Sequence, residues 1–213
     1  MKKTILIISA LMITGFMAQK VQAQKTSFGV RAGVNFQNIN GQNAAGQNFS
    51  NKLKTGFNVG VNAEIPIAPE FYFQPGLLFS TKGAKLKTLS SDKDADLNLN
   101  YLELPLNLLY KAPLGSDHIL LGFGPYLAYG LGGKYKVGSS SYDVKFKNNA
   151  TTESNTTFYK PLDAGANLLV GYEFSNKVSA QLNAQLGLIN IDAYHTGAKQ
   201  KNTGFGVSIG YRF

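Results

Sequence analysis

The chain has 213 residues, 21 Lys and Arg against 12 Asp and Glu, and a formal net charge of +9 at pH 7. It contains no cysteine, which excludes disulfides, a lipid-modified cysteine, thiolate metal sites and thiol catalysis. The mean hydropathy of −0.10 is typical of a soluble protein, but it does not exclude a membrane β-barrel, because only alternate residues of such a barrel face lipid.

The first residues have the pattern of an export signal. Lys2 and Lys3 form a charged start, residues 4–18 are predominantly apolar, and residues 21–23 place small side chains at the −3 and −1 positions of a cleavage site. The alternative is a membrane anchor, but the apolar run is shorter than the roughly 20 residues that a spanning helix needs. We expect a signal peptide at 1–23 and a mature domain at 24–213, with the formal charge lowered to +6 by loss of three lysines.

The mature sequence repeats stretches in which apolar and polar residues alternate with period two, the pattern of strands with two unlike faces. The apolar face carries Phe, Val, Leu and Ile, and the other face is rich in Gly and Asn, which suits the crowded interior of a narrow barrel. Eight such segments follow one another: 28–36, 55–65, 71–81, 98–110, 119–131, 160–174, 178–188 and 203–213.

The connections between these segments alternate in length. Long, polar connections at 37–54, 82–97, 132–159 and 189–202 alternate with short ones at 66–70, 111–118 and 175–177. Outer-membrane barrels have long extracellular loops and short periplasmic turns, and in lipid the sheet must close so that every backbone group is paired. We therefore predict an all-β fold, an eight-stranded antiparallel up-and-down transmembrane β-barrel with both termini in the periplasm.

The aromatic residues and the prolines of the predicted strands each give a further expectation. Aromatic residues fall near both ends of the strands, as expected for girdles at the two membrane interfaces. Pro75, Pro105 and Pro125 lie inside strands, where a missing N–H removes a ladder bond. We expect bulges or local gaps in the ladder at these prolines.

The strand sequences resemble the PorT-type outer-membrane β-barrel family of Bacteroidetes-like bacteria. The resemblance lies in the segments GVRAGVNF, FQPGLLFSTKGAK, YLELPLNLLYK, GFGPYLAYGLGGK, LDAGANLLVGYEF and GFGVSIGYRF, and it is weakest in 37–54 and 132–159. These motifs indicate the barrel type and define no chemistry. The founding member of that family is associated with protein secretion across the outer membrane, a role that the resemblance does not carry over to this chain.

The end of the chain resembles the signal that barrel-assembly machinery recognises. Such signals end in an aromatic residue with alternating apolar residues before it, and Phe213 and Tyr211 fit that pattern. The alternative is a terminal strand that ends in Phe by chance. We predict that the barrel-assembly machinery is a partner.

Several positions on the predicted inward face are charged. Arg31, Glu64 and Arg212 lie on neighbouring strands and predict an internal salt-bridge network, because charges inside a barrel must be paired or hydrated. The functional alternative is a gate or proton path, but an eight-stranded interior is only wide enough for side chains to fill it, which favours a polar plug. Three further inward carboxylates are predicted, namely Glu103, Asp163 and Glu173.

The predicted loops are rich in lysine. Eleven lysines lie in or beside these connections, Lys82 among them, and such a surface suits lipopolysaccharide or another acidic partner better than nucleic acid, which an exported protein rarely meets. A solvated face with no ligand is the alternative. The longest loop mixes aromatic and basic residues as a candidate contact set: Tyr142, Lys145, Phe146, Lys147 and Phe158.

No catalytic, cofactor or metal site is predicted. His118 and His195 fall at opposite ends of the predicted barrel, so they do not share a site. Asp92, Asp94 and Asp96 alternate in 82–97 but lack the Gly and the final Glu of an EF-hand loop. A rim hydrolase built on His195 and a loop serine is the remaining enzyme hypothesis.

The function predicted from the sequence is a structural or interaction protein of the outer membrane, in contact with its lipids and other envelope proteins through the long loops. The first alternative is a narrow channel for small solutes. The second is a soluble, lipocalin-like barrel, which requires apolar residues inside rather than the Gly- and Asn-rich face seen here.

Overall fold

The computed structural model describes residues 25–86, 95–194 and 197–213, so the predicted signal peptide at 1–23 lies outside the described residues. These residues form ten strands and include no helix that is long and apolar enough to cross a membrane. The strands are β1 (Ser27–Gln42), β2 (Lys54–Ala68), β3 (Phe71–Leu86), β4 (Ala95–Leu114), β5 (Asp117–Val137), β6 (Ser140–Phe146), β7 (Thr156–Tyr159), β8 (Leu162–Glu173), β9 (Val178–Gly187) and β10 (Lys199–Arg212).

Eight of these strands close into a ring, as predicted. The order around the ring is β4-β3-β2-β1-β10-β9-β8-β5, and pairing between β4 and β5 closes it. All eight junctions are antiparallel. The strands β6 and β7 extend the sheet from β5 inside the connection 138–161, and β7 runs parallel to β6.

The two ends of the barrel differ. One end has the short connections 69–70, 115–116 and 174–177. The start of β1 and the end of β10 lie at this same end, which we call the turn end. At the opposite end, which we call the loop end, the strands are connected through residues 43–53, 87–94, 138–161 and 188–198, of which 87–94 and 195–196 lie outside the described residues. The predicted alternation of long and short connections is therefore confirmed.

The strand boundaries predicted at the loop end were wrong, because the strands run further. β4 has 20 residues and β5 has 21, about twice the 9–11 residues that a tilted strand needs to cross a bilayer. Residues 37–42, 82–86, 95–97 and 132–137, which were predicted to be loops, are barrel strand. The part of the barrel that crosses the membrane lies between the two aromatic belts described next. We call the strand residues beyond it at the loop end, together with β6 and β7, the loop-end section.

Aromatic side chains mark where the membrane-crossing part begins and ends. At the loop end Phe36 stacks on Phe205 and Phe57 on Phe79, with ring centroids 5.4 and 5.7 Å apart. At the turn end Phe71 stacks on Tyr110, with centroids 4.8 Å apart. Each of the pairs Phe28 and Phe36, Phe71 and Phe79, and Phe205 and Phe213 is separated by eight residues, so two belts lie roughly 20 Å apart for strands tilted at about 40°.

The two faces of the sheet exchange polarity at the loop-end belt, as β4 shows most clearly. From Leu102 to Tyr110 the outward residues are apolar and the inward ones include Glu103. From Ala95 to Tyr101 the inward residues are apolar and fully buried, whereas the outward ones are polar. The loop-end section is thus arranged like a water-soluble barrel, and the remainder like a membrane barrel.

The apolar residues inside the loop-end section form the main core. It is capped by β6, β7 and the chain around Ile191, so the loop end of the barrel is closed by packed side chains. Apolar residues point inward here, as the soluble, lipocalin-like alternative requires, but they do so in this section only. The core comprises Ile39, Ala84, Leu97, Leu99, Tyr101, Tyr126, Ala128, Val144, Tyr159 and Ile191.

The strand prolines lie at gaps in the ladder, as predicted for all three positions. The β3–β4 pairing is broken after Pro75 and resumes at Leu78 in the same register. The β4–β5 pairing is likewise broken after Pro105 and resumes at Leu108. Pro125 lies in that same gap on the β4 side, since it falls opposite Leu106, whereas the β5–β8 pairing is continuous there.

The polarity exchange along β4 can be tested with two lysine substitutions. Leu106→Lys places a charge midway between the belts and is expected to cost about 2–4 kcal/mol, whereas Asn100→Lys lies beyond the loop-end belt and is expected to cost at most about 1 kcal/mol. The measurement is equilibrium unfolding in urea from lipid vesicles. Equal costs for the two substitutions would contradict a belt at residue 102.

Candidate functional site

A buried cation lies inside the barrel next to the apolar core of the loop-end section. The Lys82 Nζ is 2.9 Å from Glu103 Oε2 and 3.2 Å from Asp163 Oδ2, and all three side chains are at most 1% exposed. The Tyr126 hydroxyl and the Asn202 amide donate to Asp163 at 3.2 and 2.9 Å. Burial of these charges is tolerated only because they compensate one another and are hydrogen-bonded.

The prediction that Lys82 belongs to an exposed basic loop surface was therefore wrong. It lies one residue beyond the predicted end of β3, and extending the alternation of that strand by one residue places its side chain inside. Lys111 was missed for the same reason, because it follows the predicted end of β4 by one residue and also points inward. The signal was present in the sequence, but the strands were ended too early.

A second charge cluster fills the turn end of the interior. Arg212 contacts both Glu64 and Glu173. Lys111 Nζ lies 3.3 Å from Glu64 Oε2 and 2.8 Å from Glu173 Oε1. Two cations thus face two carboxylates, and Gln74 donates a further hydrogen bond to Glu64 at 3.3 Å.

Arg31 is not the centre of this cluster, which corrects the predicted Arg31–Glu64–Arg212 arrangement. In the register of β1 and β2, Arg31 lies opposite Gly60, four residues (about 13 Å) nearer the loop end than Glu64. Its side chain lines a central cavity with Glu103, and its Nε has no hydrogen-bond partner. Of the predicted network, the structure brings together Glu64, Arg212 and Glu173.

Very little space remains between the two clusters. The central cavity has a volume of about 30 Å³ and a second one beside Arg212 has about 10 Å³, enough for about one or two water molecules. Tyr126 helps to fill the interior and presses against the backbone of β8, where a Cβ on Gly165 would lie 2.7 Å from its ring. The interior is therefore a packed polar core with two small gaps beside Arg31 and Arg212.

The loop-end surface presents only part of the predicted contact set. Phe158 is 1% exposed, and Phe146 packs edge-on against Tyr101 inside the core, so neither offers a contact to an external partner. Tyr142 stacks on Tyr135 with ring centroids 5.9 Å apart. Of the predicted contact set, Tyr142, Lys145 and Lys147 therefore remain as candidates.

The two remaining lysines of that set are ordered by one carboxylate. Lys145 and Lys147 donate to Glu153 at 2.6 and 2.7 Å. Hydrogen bonds from these ammonium groups hold the pKa of Glu153 at about 2. The cluster is therefore fully ionised at neutral pH, and it loses its carboxylate charge only as the pH falls through about 2.

The positions considered for metal or catalytic chemistry are dispersed. Within residues 25–86, 95–194 and 197–213, no three His, Cys, Asp or Glu side chains come together as metal ligands. Asp92, Asp94 and His195 lie outside the described residues. Asp96 is ion-paired with Lys54 at 3.1 Å, and His118 lies at the turn end, 3.9 Å from Glu173.

The buried Lys82 site gives a stability prediction. Lys82→Met leaves Glu103 and Asp163 buried without their cation and is expected to destabilise the barrel by about 3–5 kcal/mol. The triple variant Lys82→Met, Glu103→Gln, Asp163→Asn removes both the cation and the carboxylates and is expected to recover most of that loss. Urea unfolding in vesicles measures both. A triple variant no more stable than the single one would show that the carboxylates are not what the cation compensates.

Comparison with known proteins gives a consistent account of the fold. The chain is similar to the outer membrane protein OprG from Pseudomonas aeruginosa (10% identity, 88% of this chain and 95% of that one, TM-score 0.51). It is also similar to Neisserial surface protein A (12%, 89% and 100%, 0.47) and to the Ail protein of Yersinia pestis (12%, 89% and 100%, 0.43). At 10% identity, the likeness to OprG shows the fold alone.

A search of curated protein sequences gave no match. The model of one protein family, described as "Outer membrane protein beta-barrel domain", matches residues 17–193, which is most of the chain. The closed eight-stranded ring, the two aromatic belts and the polar interior are features of transmembrane β-barrels. The chain belongs to the outer membrane protein β-barrel domain family and is an integral protein of the outer membrane.

Proposed function

We propose that this protein is a closed scaffold of the outer membrane, which presents the loop-end section at the cell surface for contact with other envelope components. The observation that carries the proposal is the filled interior. Lys82, Tyr101 and Tyr126 are fully buried within the barrel, and the cavities beside Arg31 and Arg212 hold about one or two water molecules.

The apolar core of the loop-end section supports this proposal. A channel needs a continuous polar path, but between the Lys82 cluster and the loop end the interior is apolar and packed. Opening it would require displacing Ile191 and Tyr159 from that core. A narrow channel is the competing function, and the packed core argues against it.

The outer surface of the loop-end section supports an interaction role. The extra strand residues and the sheet added by β6 and β7 form a folded platform beyond the loop-end belt. Its lysines and the ordered Lys145–Glu153–Lys147 group give it a fixed pattern of charge, which suits electrostatic selection of a partner. Rigid strands position such a surface better than mobile loops do.

We also propose, more narrowly, that the chain is a PorT-type barrel. This assignment rests on the strand segments, which fold mainly into the membrane-crossing part and reach the loop-end section only with residues 82–85 and 132–134. A role in protein secretion would need a surface that contacts secretion components. Crosslinking from Lys145 or Lys147 in the native membrane would identify such partners directly.

Conductance tests the closed interior. The purified barrel in a planar lipid bilayer is expected to show no defined single-channel step, because packed side chains block the path for ions. A general porin inserted in the same bilayer is the positive control. A reproducible step from this barrel would overturn the closed scaffold and favour the channel.

The proposed orientation is tested with two cysteines in a chain that has none of its own. Ser139→Cys lies in the turn between β5 and β6 at the loop end, and Ser116→Cys lies in the turn between β4 and β5 at the turn end; both positions are exposed. With a membrane-impermeant maleimide on intact cells, we expect labelling of the first variant alone, and of both after lysis. The reverse pattern would place the termini outside the cell.

A further inference from the structure

A groove of about 400 Å³ opens at the loop end, beside the outward face of β10. It exists because β9 ends at Gly187, whereas β1 and β10 continue together as far as the pair Gln42 and Lys199. The segment 43–53 folds back along this step, with the Phe49 N–H bonded to the Gly41 carbonyl at 3.0 Å. The groove is therefore built by strand ends and not by an unstructured loop.

The polar side of the groove carries two lysines. Lys199 and Lys201 lie on the outward face of β10, opposite Gln42 and Asn40 of β1, and two residues along a strand place their Cβ atoms about 7 Å apart. Within the part of the chain that the structure describes, no carboxylate lies within 4 Å of either ammonium group. Two uncompensated ammonium groups and neighbouring amides match a phosphate group.

The other side of the groove is apolar and continues into the lipid-facing surface. Leu186 lines the groove and is 56% exposed, and Leu188 follows it on the same outward face. Phe205, in the loop-end belt, lies four residues from Lys201 on the same face of β10. An occupant must therefore carry negative charge at one end and hydrocarbon at the other.

The height of the lysines fits the headgroup layer of a membrane. Four residues of a tilted strand place the Lys201 backbone about 10 Å beyond the belt. A lysine side chain is long enough to reach back from there toward the interface with its charge in the polar layer. That layer is roughly 5–8 Å thick on each side of a bilayer. Leu186, Lys199 and Lys201 line the groove from the outward face of the sheet, which is the side from which a lipid of the same leaflet would approach.

We propose that this groove binds the phosphorylated headgroup of an outer-leaflet glycolipid of the lipopolysaccharide type, with the phosphate between Lys199 and Lys201. One acyl chain then lies along Leu186 and Leu188. The inference rests on the proposed function only in that the loop end must face the outer leaflet. The proposed lipid occupies only this groove of the loop-end section. Protein partners would contact other parts of its surface.

The test is native mass spectrometry of the folded barrel in detergent, titrated with diphosphorylated lipid A. The wild type is expected to hold one lipid per barrel, and the double variant Lys199→Gln, Lys201→Gln is expected to bind at least tenfold more weakly. The matched control, Lys85→Gln, Lys136→Gln, removes the same charge from exposed positions of β3 and β5 outside the groove. It is expected to change binding less than twofold, and heat-modifiable gel mobility verifies that every variant is folded.

Two further arms separate the sources of affinity. Lipid A without phosphates is expected to bind as weakly as the double variant. Phe49→Ala, which removes an aromatic side chain from the lining of the groove, is expected to weaken binding several-fold. Inorganic phosphate at millimolar concentration is expected not to compete. Unchanged binding by the double variant, equal loss in the control, or full competition by inorganic phosphate would each overturn the lipid site. Those outcomes leave the conductance and labelling results untouched, so failure of the site is distinguishable from failure of the scaffold.

Discussion

Closure of the backbone hydrogen-bond ladder is the constraint on which the rest of this structure depends. A bilayer offers no water to unpaired N–H and C=O groups, so the sheet must have no edge between the two belts. The pairings of β4 with β5 and of β1 with β10 complete that ring. A ring of eight strands is narrow, and its interior is filled by the side chains that the strands themselves contribute.

This narrow interior explains the arrangement of charge. Charged side chains that point inward are cut off from bulk water, and each needs an opposite charge within reach. Lys82 satisfies Glu103 and Asp163, while Arg212 and Lys111 satisfy Glu64 and Glu173. Arg31 lines the small cavity between the clusters. The polar interior is therefore a cross-linked core that ties distant strands together.

Beyond the loop-end belt the solvent changes from lipid to water, and the sheet responds by reversing its faces. The same β4 strand carries Leu outward in one part and inward in the other. One barrel thus contains a membrane section and a water-soluble section with an apolar core. This division supports the proposed role, because the soluble section can present a folded surface while the packed interior closes the barrel.

The sequence by itself determined the strand number, the alternation of loops and turns, the belts and the inward carboxylates, because period-two patterning is a local property of each strand. It did not determine where the strands end or which charges meet. The change of polarity at Leu102 made the start of β4 look like a polar loop. Lys82 was assigned to the surface because β3 was ended one residue too early. The pairing of Lys82 with Asp163, 81 residues away, follows from barrel closure and register. The separation of Arg31 from Glu64 has the same origin. Only the tertiary structure fixes such contacts, since they depend on how all eight strands are staggered around the ring.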